Sequence, residues 1–208
     1  FNDNEIIPGE YLKHALDASL YRDITSLFGV NNPKYLRQIL EVLSDNVTNT
    51  TSFNNIAKRL AISDETSKNY IEYLQSAFLV YRLYRYGRSN KIRKNSIPKY
   101  YLSDIGMLNL LSATPRVGHK LENLVYLKLL QSKSFSLSDE IFYDLLGDNN
   151  FEIDFKIDDE YYEVKDTLTK DQAENIVDFA ETNGVKINII ARKFNVISKS
   201  SYVSNINI

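Results

Sequence analysis

The residue order predicts an α/β chain in two parts, a helical part closing in a β-hairpin and a sheet-based part after it. Three observations lead there. Apolar residues recur at helical spacing from Tyr11 to Ala77, punctuated by residues that cap helices. Two short alternating runs, Leu79–Tyr86 and Lys99–Leu102, then flank a polar turn from Gly87 to Asn95. Beyond a linker at Ser112–Gly118 that contains Pro115, the pattern changes to short alternating runs set between two helical stretches.

The elements follow in order. Pro8–Leu27 reads as one helix, with Tyr11, Leu12, Ala15, Leu16, Ile24 and Leu27 near helical spacing. Asn32-Pro33 opens a second, whose stripe is Leu36, Ile39, Leu40 and Leu43 and whose stop is Asn46. Ser52 caps a short helix carrying Ile56, Ala57 and Leu60. After a tight turn at Ala61-Ile62, Ser63 caps the next, with Asp64 and Glu65 favourably placed in its first turn and Tyr70, Ile71, Leu74 and Ala77 on its buried face. Three helices followed by a hairpin make the winged-helix arrangement. Asp104–Leu111 closes this part as a short helix. The expected division is therefore a helical lead-in at 1–33, a winged-helix domain at 34–112 and an α/β domain at 113–208. That last domain should hold a helix at Lys120–Leu130, strands at Ile141–Leu146, Phe151–Ile157 and Tyr161–Val164, a helix from Thr169 to an αL stop at Asn183-Gly184, and a strand at Val185–Ala191.

Composition narrows the chemistry. In 208 residues with 43% hydrophobic and 25% charged content there is no apolar run long enough to span a bilayer and no leader-like N-terminus, which points to a cytoplasmic protein without a membrane partner. With zero cysteines, disulfides, thiolate zinc sites and cysteine nucleophiles are excluded together. His14 and His119, the two histidines, lie far apart in the chain, and no serine sits in a G-x-S-x-G elbow. The net charge of −2 hides an asymmetry. From Tyr73 to Ser103 there is no acidic residue, while Arg82, Arg85, Arg88, Lys91, Arg93, Lys94 and Lys99 all fall there; from Asp139 to Glu181 the balance turns acidic.

Chemistry concentrates in Phe151–Lys165. Strict alternation places Phe151, Ile153, Phe155 and Ile157 on an inward face and Glu152, Asp154 and Lys156 on the other. Glu163 and Lys165 share a face of the next strand, and a reversal through Asp158-Asp159-Glu160 can bring Asp154 beside Glu163. With Glu122 from an upstream helix, these carboxylates would form a hard oxygen site suited to Mg²⁺ or Mn²⁺. Such an ion polarises a phosphoryl oxygen and acidifies a bound water, and Lys165 would position that water. Glu152 and Asp144 are the neighbouring alternatives. In the helical part, Ser67, Lys68 and Asn69 are the polar residues a recognition helix would present to DNA. The basic wing, with Arg82, Arg85, Arg88, Lys91, Arg93 and Lys94, offers a phosphate surface better suited to contact without sequence preference.

The acid, acid, Glu-x-Lys order of Glu122, Asp154 and Glu163-Val164-Lys165 resembles the PD-(D/E)XK nuclease superfamily. More of the chain resembles the C-terminal region of a prokaryotic family of AAA+ type ATPases, in which a winged helix precedes a nuclease-like domain. Tyr21-Arg22-Asp23-Ile24, Asn32-Pro33, Ile62-Ser63, Lys99-Tyr100-Tyr101, Asp104-Ile105-Gly106, Leu121-Glu122-Asn123 and Glu152-Ile153-Asp154-Phe155 carry that likeness through their order and spacing. The resemblance implies a restriction-endonuclease-like α/β domain, a Mg²⁺- or Mn²⁺-dependent deoxyribonuclease site at Glu122, Asp154, Glu163 and Lys165, and an ATPase domain of the parent protein as partner. No G-x-x-x-x-G-K-[ST] loop occurs, so no ATP site is expected here, and the opening at Phe1 suggests a C-terminal fragment. The competing expectation is a non-catalytic interaction or regulatory module on a degenerate nuclease fold, motivated by the near-neutral charge and by Asp64 and Glu65 on the recognition helix.

Overall fold

A computed structural model describes residues 8–87, 89, 93, 95–112, 114, 116–132, 141–147, 151–194 and 200–207. The protein is mixed α/β and forms two compact units, one of Phe1–Arg82 with Lys99–Pro115, the other of Leu83–Pro98 with Arg116–Ile208. No helix among the described residues is long and apolar enough to cross a membrane.

The first unit opens with α1 (Pro8–Ala18), a π-helical turn (Ser19–Ile24) and α2 (Thr25–Phe28), which run on without a break where one helix is expected. A π turn carries more residues per revolution than an α turn, so residues four apart stay near one face. Leu16, Leu20 and Ile24, four apart, are all buried, and the Thr25 hydroxyl donates to the Leu20 carbonyl at 2.9 Å. Gly29, at φ 61°, ends the run. These residues share one core with α3 (Lys34–Asp45), α4 (Phe53–Leu60) and α5 (Asp64–Ser76), so the lead-in and the helical domain pack as one body. Ser52 and Ser63 cap α4 and α5, accepting from the Asn55 and Thr66 amides at 3.1 and 3.0 Å. The hairpin strands β1 (Val80–Leu83) and β2 (Lys99–Leu102) and a closing helix α6 (Ile105–Leu111) complete the three-helices-then-hairpin order.

Phe78 reverses the chain after α5 at φ 56°, with its amide on the Gln75 carbonyl at 2.9 Å and that of Leu79 on Leu74 at 3.0 Å. Glycine ordinarily takes this place, because a left-handed L-residue costs about 1 kcal/mol. The Phe78 ring is 71% exposed and returns little packing. Phe78→Gly is therefore expected to stabilise the protein by about 1 kcal/mol in urea denaturation; a lower midpoint would mean that the ring contributes packing that outweighs the backbone cost.

In the second unit, α7 (Val117–Ser132) packs on a five-stranded sheet of β3 (Ile141–Leu146), β4 (Phe151–Ile157), β5 (Glu160–Leu168), β6 (Ile187–Phe194) and β7 (Val203–Asn207), in that spatial order. The β3–β4 and β4–β5 pairs are antiparallel, while β5–β6 and β6–β7 are parallel. Between β5 and β6 runs α8 (Lys170–Asn183), opened by a capping box of Thr169 and Gln172 and closed by Gly184 at φ 62°. β5 runs further than its expected Val164 end, and β7 has no counterpart among the expected strands.

Two departures bear on function. The segment between the hairpin strands is not a free wing: within the second unit, the Tyr86 amide donates to the Tyr143 carbonyl at 2.7 Å and the Tyr143 amide to Tyr84 at 3.1 Å. The Tyr143 hydroxyl adds a bond to the Ile97 carbonyl at 2.7 Å. Residues 84–86 thus continue the sheet beyond β3 and cover part of its edge. Second, the β3–β4 register slips by one, with Phe142 opposite Lys156 but Asp144 opposite Ile153. The extra β4 residue reverses the alternation there. Ile153 consequently packs with Ala173 and Ile176 of α8, and Phe151 stacks on Phe179, whereas Phe155 meets Tyr126 of α7 at 6.0 Å. The four odd-numbered apolar residues are split between two faces rather than sharing one, and both faces are covered.

Candidate active site

β4 and β5 pair at their hairpin end, Ile157 opposite Glu160, Lys156 opposite Tyr161 and Phe155 opposite Tyr162. At Asp154 the paired register ends, and backbone groups that would have faced each other need other partners. Side chains supply them. The Val164 amide donates to Asp154 Oδ2 at 2.8 Å, and the Asp154 amide points at Glu163 Oε2 at 3.4 Å. Each acid is thus tied to the other strand at the point where the strands part.

Both carboxylates are buried, Asp154 at 9% exposure and Glu163 at 4%, and Lys165 forms an ion pair with Glu163 Oε1. Burial, then the charge of Asp154, lifts the Glu163 carboxyl to about 7 against the pull of Lys165. Burial works to lower the Lys165 ammonium, but Glu163, Asp154 and Glu122 outweigh it and raise it above the usual lysine value. The lysine therefore stays charged beside an acid that titrates near neutrality.

Glu122, half-buried on α7, favours the Lys165 charge, but the structure does not draw it into a three-carboxylate cluster with Asp154 and Glu163. Among the described residues, no group of three or more acids or histidines is placed to hold a metal ion. Two carboxylates still fit one. Mg²⁺ is commonly held by one or two carboxylates, with waters and substrate phosphates completing its shell. The buried like-charged pair, with one acid driven toward its neutral form, has the electrostatic character of a site that gains from an added cation. Glu152 is exposed and Asp144 is occupied elsewhere, its carboxylate accepting the Leu145 amide at 2.8 Å.

The residues expected to meet DNA are dispersed. Ser67 is fully buried in the core-facing side of α5 and cannot reach a base edge, which corrects its assignment. Lys68 is exposed, with Glu72 at 4.0 Å, and Asn69 is half-buried. Arg82 lies over the Phe53 ring at 5.6 Å in the first unit. In the second, Arg93 covers the Phe142 ring at 4.6 Å and donates to the Gly87 carbonyl, and half-buried Arg85 acts on Asp144. Lys99 is buried. Arg88, Lys91 and Lys94 lie outside the described residues. Arg82 and Arg93 are thus spent on packing against rings, and Arg85 on a buried carboxylate, rather than left as a bare cationic surface.

Sequence reasoning named Asp144 and Lys156 singly but did not join them as a second buried charge group. Asp144, at 5% exposure, has its carboxyl raised by burial, against the Leu145 amide and the charges of Lys156 and Arg85. Lys156, at 4% exposure, sets its ammonium 4.6 Å from the Tyr86 ring and 4.4 Å from the Tyr161 ring. A lysine on the same expected face as Glu152 and Asp154 of β4 was the available signal. Asn123, fully buried beside Glu122, is the equivalent sign on α7.

Residues 2–117 match the family model described as a domain of unknown function, DUF8612. The chain belongs to that family. Two curated relatives of this DUF8612 chain are uncharacterised proteins. One, MJ1544 of Methanocaldococcus jannaschii, is 35% identical over 74% of the chain and 35% of its own length. The other, from Haemophilus influenzae, is 27% identical over 58% and 32%. The chain spans about a third of the length of these relatives. Among solved structures, a mutant of MepR from S. aureus aligns at 17% identity and a TM-score of 0.30, covering 62% of the chain and 85% of that one. FabT of Streptococcus pneumoniae in complex with DNA aligns at 18% and 0.27, covering 63% and 82%. Scores this low carry no weight for the fold or function of the DUF8612 chain.

Proposed function

We propose that the second unit is a nuclease-like α/β domain whose Asp154, Glu163 and Lys165 form a divalent-metal phosphodiesterase site acting on DNA. The observation that carries the reading is the buried acid pair at the parting of β4 and β5, with Lys165 joined to one of its members. The mixed sheet, with α7 before it and α8 crossing between its parallel strands, supports a PD-(D/E)XK-like arrangement. Asp154 and Glu163 would hold Mg²⁺ or Mn²⁺, which supplies polarisation of a phosphoryl oxygen and a more acidic water. Lys165 keeps its proton, offsets phosphate charge and orients the attacking water through Nζ. Glu122 acts on Lys165 and so keeps that proton in place. The helical unit docks on DNA without reading sequence, and the remaining two-thirds of the longer relatives leaves room for an AAA+ type ATPase part as partner.

A second reading is favoured by one specific observation: Lys165 already neutralises Glu163, and the described arginines of the hairpin segment are packed inward. On that reading the nuclease-like unit is a scaffold that recognises a protein partner or regulates the ATPase part.

Asp154→Asn separates the two. The asparagine carbonyl still accepts the Val164 amide, so the fold should persist while the charge is lost. Mn²⁺ binding followed by electron paramagnetic resonance should weaken at least about tenfold, given one of two charged ligands removed. Cleavage of single-stranded, duplex and branched DNA with Mn²⁺ should disappear. Equal Mn²⁺ binding by wild type and variant, or none by wild type, would sink the metal site and leave the scaffold.

A further inference from the structure

A cavity of about 610 Å³ opens in the second unit beside the hairpin end of β4–β5 and the first residues of β6 and β7. Its size falls within the range of small-ligand sites. Lys156, Tyr161, Lys186, Asn188, Tyr202 and Ser204 line it, giving two ring-bearing phenols, two ammonium groups, a carboxamide and a hydroxyl. Asp159 and Glu160 also border it, so its four charged side chains balance. A charge-balanced site is a poor trap for a bare polyanion. What it can recognise is a planar polar ring carrying both donors and acceptors, joined to a single negative group.

Position adds the second argument. Lys156 and Tyr161 face each other across the hairpin, and each stands two residues from one of the acids, Lys156 from Asp154 and Tyr161 from Glu163. Two residues of strand are about 6.6 Å. The cavity and the acid pair thus lie along the same two strands, within the span of a nucleotide or two. Lys156 is already cradled by Tyr86 and Tyr161 and donates to the Asp158 carbonyl, which fixes the cavity wall. Tyr202, 37% exposed, and the exposed Lys186 and Ser204 are open to a ligand.

We propose that this cavity holds one nucleotide of a single-stranded nucleic acid next to the acid pair, its base against Tyr202 and Tyr161 and its phosphate on Lys186 and Ser204. The inference rests on the reading of Asp154 and Glu163 as the reacting centre. Stacking on aromatic rings tolerates any base, and Asn188 can bond a base edge by both donor and acceptor. The Asp159 carboxylate, and the Glu160 oxygen that the Tyr162 hydroxyl does not occupy, can accept from exocyclic amines.

The test is equilibrium binding of fluorescein-labelled hexanucleotides to the full chain without added metal, comparing oligo-dC, oligo-dT and oligo-rU with a labelled duplex. Tyr202→Ala and Lys186→Ala lie on the surface and should leave the melting temperature unchanged. Each is expected to weaken single-strand binding about tenfold, Tyr202→Ala through loss of a stacked base and Lys186→Ala through loss of a phosphate contact. Asp154→Asn should bind as well as wild type or better, which keeps this result independent of the metal site. Thymidine monophosphate should compete. The DNA and RNA arms identify the sugar, and dC should exceed dT if the rim carboxylates take an exocyclic amine. Single-strand binding unchanged in both surface variants, tighter binding of duplex, or no binding at millimolar protein would overturn the proposal. A wild type that binds Mn²⁺ but fails here keeps the acid pair and loses the nucleotide cavity.

Discussion

Glu163→Gln is expected to gain stability relative to wild type as the pH rises. The folded Glu163 carboxyl is raised to about 7 from its ordinary 4.5, mainly by burial and then by Asp154. The folded state therefore holds a proton that the unfolded chain releases between those values. An acid raised on folding contributes stability that is present in full below about 4.5 and is lost as the pH passes through about 7. A glutamine cannot ionise, so the variant does not suffer this loss. At 1.36 kcal/mol per pKa unit, the difference between the two proteins should change in favour of the variant by on the order of 3 kcal/mol across that interval. The pull of Lys165 is already contained in the value of about 7, so losing this partner adds no separate pH-dependent contribution. Urea denaturation of both proteins at pH 4.5, 6 and 8 reads the effect. A stability difference that does not move with pH would show that Glu163 is ionised throughout and that the acid pair is not under the strain its burial implies.

Lys156→Ala should cost more than any exposed lysine in the molecule. Lys156 is 4% exposed, lies over two tyrosine rings and helps hold the equally buried Asp144 in its charged form against burial. Removing one member of a buried charge group leaves the other uncompensated, at about 3–5 kcal/mol. Adding Asp144→Asn to the same chain removes the abandoned charge and should recover a large part of that loss. Chemical denaturation of the two single variants and the double variant closes the cycle. Independent, additive losses would mean that the two groups do not sense each other. Lys156→Met, which keeps the stem between the rings, should fall between wild type and alanine.

Local signals carried the helices, and they did so for physical reasons. Ser52, Ser63, Asp104 and Thr169 each accept an amide at a helix start, and Gly184 takes the left-handed stop, because those demands are met within a few residues. The acid pair was also legible, since a hairpin with a short turn fixes which residues oppose. Long-range choices were not. Nothing near Arg85 and Tyr86 says that their backbone will join Tyr143, so a segment with the composition of a wing ended up in the second unit. The β4 register slip arises between strands and leaves no mark in the alternation of Phe151–Ile157. β7 gains its partner only through β6, and its Asn205 and Asn207 hide it in the sequence pattern. Ser67 was misread because a hydroxyl looks like surface until the packing of its helix is known.

The route of the chain has a consequence during synthesis. Residues 99–115 complete the first unit soon after they leave the ribosome, but β3, whose Tyr143 pairs with residues 84–86 of the segment 83–98, is made afterwards. At about 5–20 residues per second, that segment waits for seconds with its sheet partner not yet translated. It contains no acidic residue, so neighbouring nascent chains repel one another through it while it is unpaired. Arg93, which later lies over the Phe142 ring, would thus help guard an unfinished edge, and a neutralised segment should fold as well once released but aggregate more on polysomes.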